Sequence, residues 1–151
     1  MLEPKRKAIG IFGGSFDPPH KGHVKISKIS LNKIKLKKIY WVITKNNPFK
    51  KKPLFSLKER ILKSKKILKT LENVEIMYLD SKIKSSRTIN VIKYFRKSKK
   101  QKELYLILGS DNLINFHKWT SWKKIVKLTK LVVFSRKGYD RKSKESIVVK
   151  Y

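Results

Sequence analysis

Two histidines stand three residues apart in the stretch GIFGGSFDPPHKGH, residues 10 to 23. His20 and His23 follow a Gly-Gly pair, which permits a tight turn and a close approach of a ligand to the backbone. A helix is predicted to begin near residue 21 or 22, so His23 lies in its first turn, where backbone N–H groups and the helix dipole favour an anion. The spacing therefore predicts a phosphate-binding turn with two imidazole donors.

A zinc site and a glycine-rich nucleotide-binding loop both fit this stretch less well than a phosphate-binding turn. Two histidines with Asp17 nearby leave a tetrahedral zinc set incomplete. The chain has no cysteine, which excludes disulfides and thiolate metal sites and suits a reducing compartment. Neither GxGxxG nor GxxxxGK occurs. No protein-bound metal is predicted.

Five short apolar runs predict the strands that position this turn. Each is rich in Ile, Val, Leu and aromatic residues, as expected of strands buried on both faces. The runs are Ala8 to Phe12, Ile39 to Ile43, Val74 to Leu79, Leu104 to Leu108 and Leu131 to Phe134.

Segments of helical character separate these runs. In one, Leu57, Ile61, Leu68 and Leu71 repeat at helical spacing, and Ser56 with Glu59 forms a candidate capping box. In another, Ile89, Ile92 and Phe95 share a face, with Ser85 or Ser86 as candidate cap. The alternation predicts an α/β fold, a doubly wound parallel sheet of about five strands, with ligands beyond the carboxyl ends of the strands.

The length of 151 residues fits a single domain, 1–151, in which residues 140–151 are expected as a frayed or truncated tail or as one last short strand. No apolar run reaches the roughly 20 residues of a membrane span, and no signal peptide is recognised. A cytoplasmic protein without membrane contact is expected; the oligomeric state is left open.

The formal charge is +30, from 40 Lys and Arg against 10 Asp and Glu. Such a field attracts polyanions, including nucleotides and, without specificity, nucleic acid. The lysines are scattered through every segment, so a solvated lysine-rich surface and a polyanion-binding face both remain open interpretations.

The segment GGSFDPPHKGH resembles the HxGH signature of the nucleotidyltransferase superfamily, a Rossmann-like fold. The resemblance implies that His20 and His23 are catalytic: they bind ATP phosphates and stabilise charge while a nucleophilic phosphate attacks the α-phosphorus. It implies an ATP site made of Gly13, Gly14, Ser15, Phe16, His20, His23, Gly109 and Asp111, with Mg²⁺ carried by ATP.

Three further stretches resemble the nicotinate-nucleotide adenylyltransferase branch: WVITKNNPFK, SSRTINVI, and LGSDNLINFHKWTSWKKI followed by VVFSRKGY. This resemblance implies transfer of the adenylyl group of ATP to nicotinate mononucleotide in NAD biosynthesis. It also implies a mononucleotide site formed by Lys50, Thr88, Trp119 and Arg136.

Structural alternatives exist for several of these residues. Asp111 and Thr88 could serve as helix caps, and Trp119 and Trp122 could belong to the core. Lys50 is one of several loop lysines.

The sequence departs from the branch in three places. Arg87 and Asn90 replace its usual tyrosine and aspartate, and the sequence to Tyr151 lacks a Ser-Ser-Thr-x-x-Arg motif that binds ATP phosphates. A truncated product, a minimal enzyme that uses its lysines and a weakly active remnant remain open. So do the alternatives of another mononucleotide or phosphopantetheine adenylyltransferase and of a basic nucleotide- or RNA-binding protein.

Overall fold

The computed structural model describes residues 6–47 and 51–151, whose centre is a five-stranded parallel sheet. The strands run in the order β3-β2-β1-β4-β5, and each neighbouring pair is parallel. Their bounds are β1 Ile9–Gly14, β2 Lys38–Ile43, β3 Val74–Met77, β4 Leu104–Gly109 and β5 Lys130–Phe134. The predicted doubly wound parallel sheet is confirmed.

The described helices are α1 Lys21–Lys33, α2 Leu57–Ile67, α3 Asp80–Ile83, α4 Thr88–Lys97, α5 Ser110–Ile114, α6 Trp122–Leu128, α7 Asp140–Lys144 and α8 Ile147–Lys150, with a 3₁₀ turn at Phe116–Lys118. Ser56 caps α2 as predicted, since its Oγ accepts the N–H of Glu59 at 3.2 Å. The helix ends before Leu71, whose N–H instead closes a turn on the carbonyl of Leu68 at 2.9 Å.

Helices cover both faces of the sheet and form two apolar layers. Side chains of α1 and α2 pack with the fully buried Trp41 of β2. On the other face, α4 and α6 pack around the fully buried Phe95. Neighbouring residues of β2 point to opposite layers, which is the strand periodicity of two. Gly10 lets the layer of α1 and α2 close on β1, because a Cβ there would lie 2.9 Å from Cδ1 of both Ile107 and Leu36.

Residues 140–151 form the two short helices α7 and α8. The expectation of a last strand in this segment is therefore wrong. Val148 of α8 is buried in the layer that contains Phe95, and the hydroxyl of Ser146 donates to the carbonyl of Ser143 at 2.6 Å. These contacts hold the segment in helical turns against the sheet's helices.

The strand register brings the carboxyl ends of four strands to one edge. Gly14 of β1 pairs with Ile43 of β2, and Gly109 of β4 pairs with Phe134 of β5. The chain order reverses between β1 and β4, where open α/β sheets form a ligand crevice. The first loop and the segment after β4 both leave the sheet at this edge.

Candidate functional site

The histidine turn joins β1 to α1. His20 is the N-cap of α1, with φ −144° and ψ 175°, and its Nδ1 accepts the N–H of Gly22 at 3.0 Å. The Nδ1 of His23 accepts the N–H of His20 at 3.1 Å, and the two ring centroids are 3.9 Å apart. A nitrogen that accepts a hydrogen bond carries no proton, so both neutral rings carry theirs on Nε2. The turn thus fixes the tautomer that offers an Nε2–H donor from each ring.

Three aromatic side chains pack against the ring of His23. Its ring centroid lies 4.7 Å from that of Phe16, 5.7 Å from Phe12 and 5.8 Å from Trp41. The indole N–H of Trp41 donates to Ser27 Oγ at 2.9 Å, and Ser27 donates to the His23 carbonyl at 2.9 Å. The first turn of α1 is therefore tied to the buried centre of the sheet.

A pocket of about 300 Å³ opens at the carboxyl end of β1, and neither His20 nor His23 is among its lining residues. Four of the predicted site residues line it: Gly13, Gly14, Thr88 and Trp119. Sequence reasoning did not assign its other polar lining residues to the site, namely Thr44, Asn47, Ser86, Arg87, Asn112 and Thr120. The ring of Trp119 packs on buried Phe116 at 4.7 Å between centroids, so this tryptophan serves the core and the pocket together.

The N-terminus of α4 lies at this pocket. Thr88 is its first residue, and Arg87 is its N-cap and makes no side-chain capping bond. The predicted cap by Ser85 or Ser86 is wrong, because the hydroxyl of Ser85 accepts from the N–H of Arg87 and from the side chain of Asn90 instead. The α4 terminus and Arg87 bring positive electrostatic character to the pocket.

Asp111 and Arg136 form an ion pair outside the pocket lining, with 2.8 Å between carboxylate Oδ2 and guanidinium Nη1. Arg136 is 60% exposed and Asp111 18%. Gly109, not Asp111, is the N-cap of α5, so the capping alternative for Asp111 is wrong. A Cβ at Gly109 would lie 2.6 Å from Oδ1 of Asp111, so this glycine makes room for the carboxylate.

A second carboxylate fixes the backbone at Arg136. The N–H of Arg136 donates to Ser110 Oγ at 2.9 Å and to Asp140 Oδ1 at 3.1 Å, and the Ser135 hydroxyl donates to Asp140. The hydrogen bonds that the Asp140 carboxylate accepts, from Ser135 foremost and then from Ser110 and the N–H of Arg136, hold its pKa below the ordinary value.

The remaining residues predicted for the site are Lys50, Phe16 and Ser15. Lys50 lies outside the described residues. The side chain of Phe16 is only 3% exposed, which leaves its backbone as the part that can meet a ligand. The carbonyl of Ser15 accepts from the guanidinium of Arg60 at 2.9 Å, so this carbonyl oxygen faces the buried arginine.

The sequence analysis gave no site role to three charged residues near the turn, Asp17, Arg60 and Asp80. Arg60 is 1% exposed. Asp17 accepts the N–H groups of Leu54 and Phe55, and Asp80 accepts that of Lys45. Burial raises the pKa of the Asp80 carboxyl, against the opposing effects of the Lys45 N–H and the Arg60 charge. For Arg60, the available sequence signal was its residue type, since it is the one arginine among the lysines of α2.

Within residues 6–47 and 51–151, no group of three or more His, Cys, Asp or Glu side chains is placed to hold a metal ion. None of the helices described there is long and apolar enough to cross a membrane.

Comparison with known proteins gives consistent matches. The cytidylyltransferase-like family model matches residues 11–150. The chain is 48% identical to a probable nicotinate-nucleotide adenylyltransferase of Pelagibacter ubique, over 97% of this chain and 81% of that protein. It is 40% identical to a protein of the same description from Nitratiruptor, over 87% of this chain and 75% of the relative.

The fold also matches solved structures. Nicotinic acid mononucleotide adenylyltransferase of Plasmodium falciparum, solved in complex with NaAD, superposes with a TM-score of 0.78 at 22% identity. The match covers 89% of this chain and 67% of that one.

Proposed function

The chain belongs to the nicotinate-nucleotide adenylyltransferases of the cytidylyltransferase-like family, and we propose that it transfers the adenylyl group of ATP to nicotinate mononucleotide. The products are deamido-NAD and pyrophosphate. The histidine turn carries this proposal: His20 and His23 hold their imidazoles 3.9 Å apart at a helix N-terminus, in the tautomer that donates from Nε2. Paired donors beside a positive helix end suit a phosphate group.

The reaction needs positioning and charge stabilisation. A phosphate oxygen of the mononucleotide attacks the α-phosphorus of ATP, and the bond from that phosphorus to the bridging oxygen breaks. Pyrophosphate leaves with the electron pair, and negative charge grows on the phosphoryl oxygens. The Nε2–H groups of His20 and His23 stabilise that charge. We propose Mg²⁺ as the ion that enters with ATP and shields its phosphates.

The pocket supplies the acceptor site. Trp119 offers an aromatic face to the flat pyridine ring, worth about 0.5 to 1.5 kcal/mol beyond the area it covers. Thr88 and Arg87 lie at the positive end of α4, which suits the nicotinate carboxylate over a neutral amide.

The remaining assignments complete the two nucleotide sites. Gly13, Gly14, Ser15 and Phe16 present backbone to ATP, and Gly109 lets Asp111 accept from its ribose hydroxyls. Lys50 and Arg136 contact the phosphate of the mononucleotide. Since Asp111 and Arg136 are paired at 2.8 Å, substrate groups that bind either residue compete with or extend that ion pair.

A product assay tests the proposal. The chain is incubated with ATP, Mg²⁺ and, in turn, nicotinate mononucleotide, nicotinamide mononucleotide and phosphopantetheine, while pyrophosphate is measured and the product is identified by mass. Pyrophosphate and deamido-NAD are expected with the first acceptor, and a His20→Ala, His23→Ala double variant controls for contaminating enzymes. If pyrophosphate is released only with one of the other acceptors, that acceptor replaces nicotinate mononucleotide as the proposed substrate. The absence of pyrophosphate with all three, together with tight salt-sensitive RNA binding, would favour a binding protein. We also propose a cytoplasmic location, where ATP is available.

A further inference from the structure

A buried arginine lies at the centre of the loops that form the site. Arg60 of α2 is 1% exposed. Its guanidinium donates to four carbonyl oxygens: Phe55 at 3.1 Å, Ser15 at 2.9 Å, Thr44 at 2.8 Å and Lys45 at 2.9 Å. Arginine is seldom fully buried without such partners, because desolvation of the charge is costly.

The four carbonyls belong to two loops, those that follow β1 and β2. Ser15 lies between β1 and α1, and Thr44, Lys45 and Phe55 lie between β2 and α2. Two carboxylates add contacts to these loops: Asp17 of the β1–α1 loop accepts the N–H of Phe55 at 2.8 Å, and Asp80 of α3 accepts that of Lys45 at 3.1 Å. Arg60 is thus the common partner of the loop that carries the histidine turn and of the loop after β2, which includes the pocket residue Thr44.

The hydrogen bond to Ser15 also orients the next peptide N–H. In a trans peptide the C=O of one residue and the N–H of the next point in opposite directions. Because the carbonyl of Ser15 faces Arg60, the N–H of Phe16 points away from it. Phe16 holds a left-handed φ of 49°, a conformation that persists only where surrounding contacts enforce it, and its ring packs on His23 at 4.7 Å. The carbonyl of Thr44, a pocket residue, is fixed in the same way.

We infer that Arg60 is a positioning residue for adenylyl transfer: its guanidinium sets the Ser15–Phe16 and Thr44–Lys45 peptides, and so the relative placement of the histidine turn and the acceptor pocket, without touching either substrate. The inference rests on the proposed function. It differs from a purely stabilising role because the four bonds join loops that carry substrate contacts.

The test compares Arg60→Lys with Leu68→Ala. Lysine keeps the charge and most of the volume but loses the fork that reaches several carbonyls. Leu68, 7% exposed at the end of the same helix, packs in the α1 and α2 layer and serves as the matched control for lost stability. The melting temperature of each variant is determined first. The kcat and both KM values are then measured well below either melting temperature. Arg60→Lys is expected to lower kcat/KM roughly 100-fold, the scale of a small misplacement of reacting groups, and Leu68→Ala less than about threefold.

Chemical rescue and ATP binding complete the design. Ethylguanidinium is expected to restore turnover to Arg60→Ala and to leave Leu68→Ala unchanged. Equal losses of kcat/KM in Arg60→Lys and Leu68→Ala at matched loss of melting temperature would overturn the inference. If the wild-type chain releases no pyrophosphate, the proposed function fails, and the positioning role is then tested by calorimetry of ATP binding alone. A Kd for ATP at least tenfold weaker in Arg60→Lys supports the positioning role. An unchanged Kd overturns it.

Discussion

Replacement of Gly22 by alanine separates the stability of the histidine turn from its chemistry. A Cβ at Gly22 would lie 2.8 Å from Cε1 and 2.9 Å from Nδ1 of His20, so the imidazole must leave its capping position. Alanine favours the helix by about 0.5 to 1 kcal/mol over glycine, and loss of the cap costs about 1 kcal/mol. The free energy of unfolding should change by less than about 1 kcal/mol. The displaced ring removes one donor from the growing charge, which should lower kcat by about 100- to 1,000-fold.

Pyrophosphate release under saturating ATP and nicotinate mononucleotide measures the effect, and urea unfolding measures stability. Lys28→Ala, an exposed change in the middle of α1, is the matched control and should keep wild-type kcat. A Gly22→Ala chain that turns over within about threefold of wild type would refute the assigned position of the His20 ring. So would a chain whose loss of kcat is fully explained by unfolding.

His20→Ser keeps a good N-cap without an imidazole, so the melting temperature should stay near that of wild type while kcat falls at least about 100-fold; a stable and active variant would contradict the role of the ring. Arg87→Gln removes a cation from the acceptor pocket, so the kcat/KM preference for nicotinate over nicotinamide mononucleotide should fall about tenfold; an unchanged ratio speaks against charge recognition there. The lowered pKa of Asp140 means that its stabilising contribution is present above the ordinary aspartate value and is lost as pH falls through the folded-state pKa. Urea unfolding between about pH 2 and pH 6 should therefore find Asp140→Asn less stable than wild type at the upper end and similar to it at the lower end, whereas a constant difference would be contrary to this assignment.

Local signals predicted the elements because they act over a few residues. Ser56 caps α2, and Ile89, Ile92 and Phe95 share the buried face of α4, as their spacing indicated. The same range explains the histidine turn, whose hydrogen bonds span two and three residues. One failed prediction concerns a helix limit: the N-cap of α4 is Arg87 in place of a serine, and the side chain of Asn90 bonds to the hydroxyl of Ser85. Another concerns element type, since residues 140–151 form two short helices and no strand.

The pocket was only partly predictable. Resemblance to the family indicated Thr88 and Trp119, which lie on different elements and line one pocket, and their contact with the mononucleotide stays a prediction. The pairing of Asp111 with Arg136, 25 residues later, required the neighbouring carboxyl ends of β4 and β5.

By itself, the sequence determined the alternation of buried strands and capped helices, and it placed two imidazoles at a helix start, because periodicity, glycine and capping act through near neighbours. Only the tertiary structure decided which charges enter the interior. Arg60 looks like a solvated member of a lysine-rich helix, yet it meets the carbonyl of Ser15 across 45 positions of sequence. Arg60 is buried because two loops meet where parallel strands end. Burial of a guanidinium is favourable only when several carbonyls converge on it.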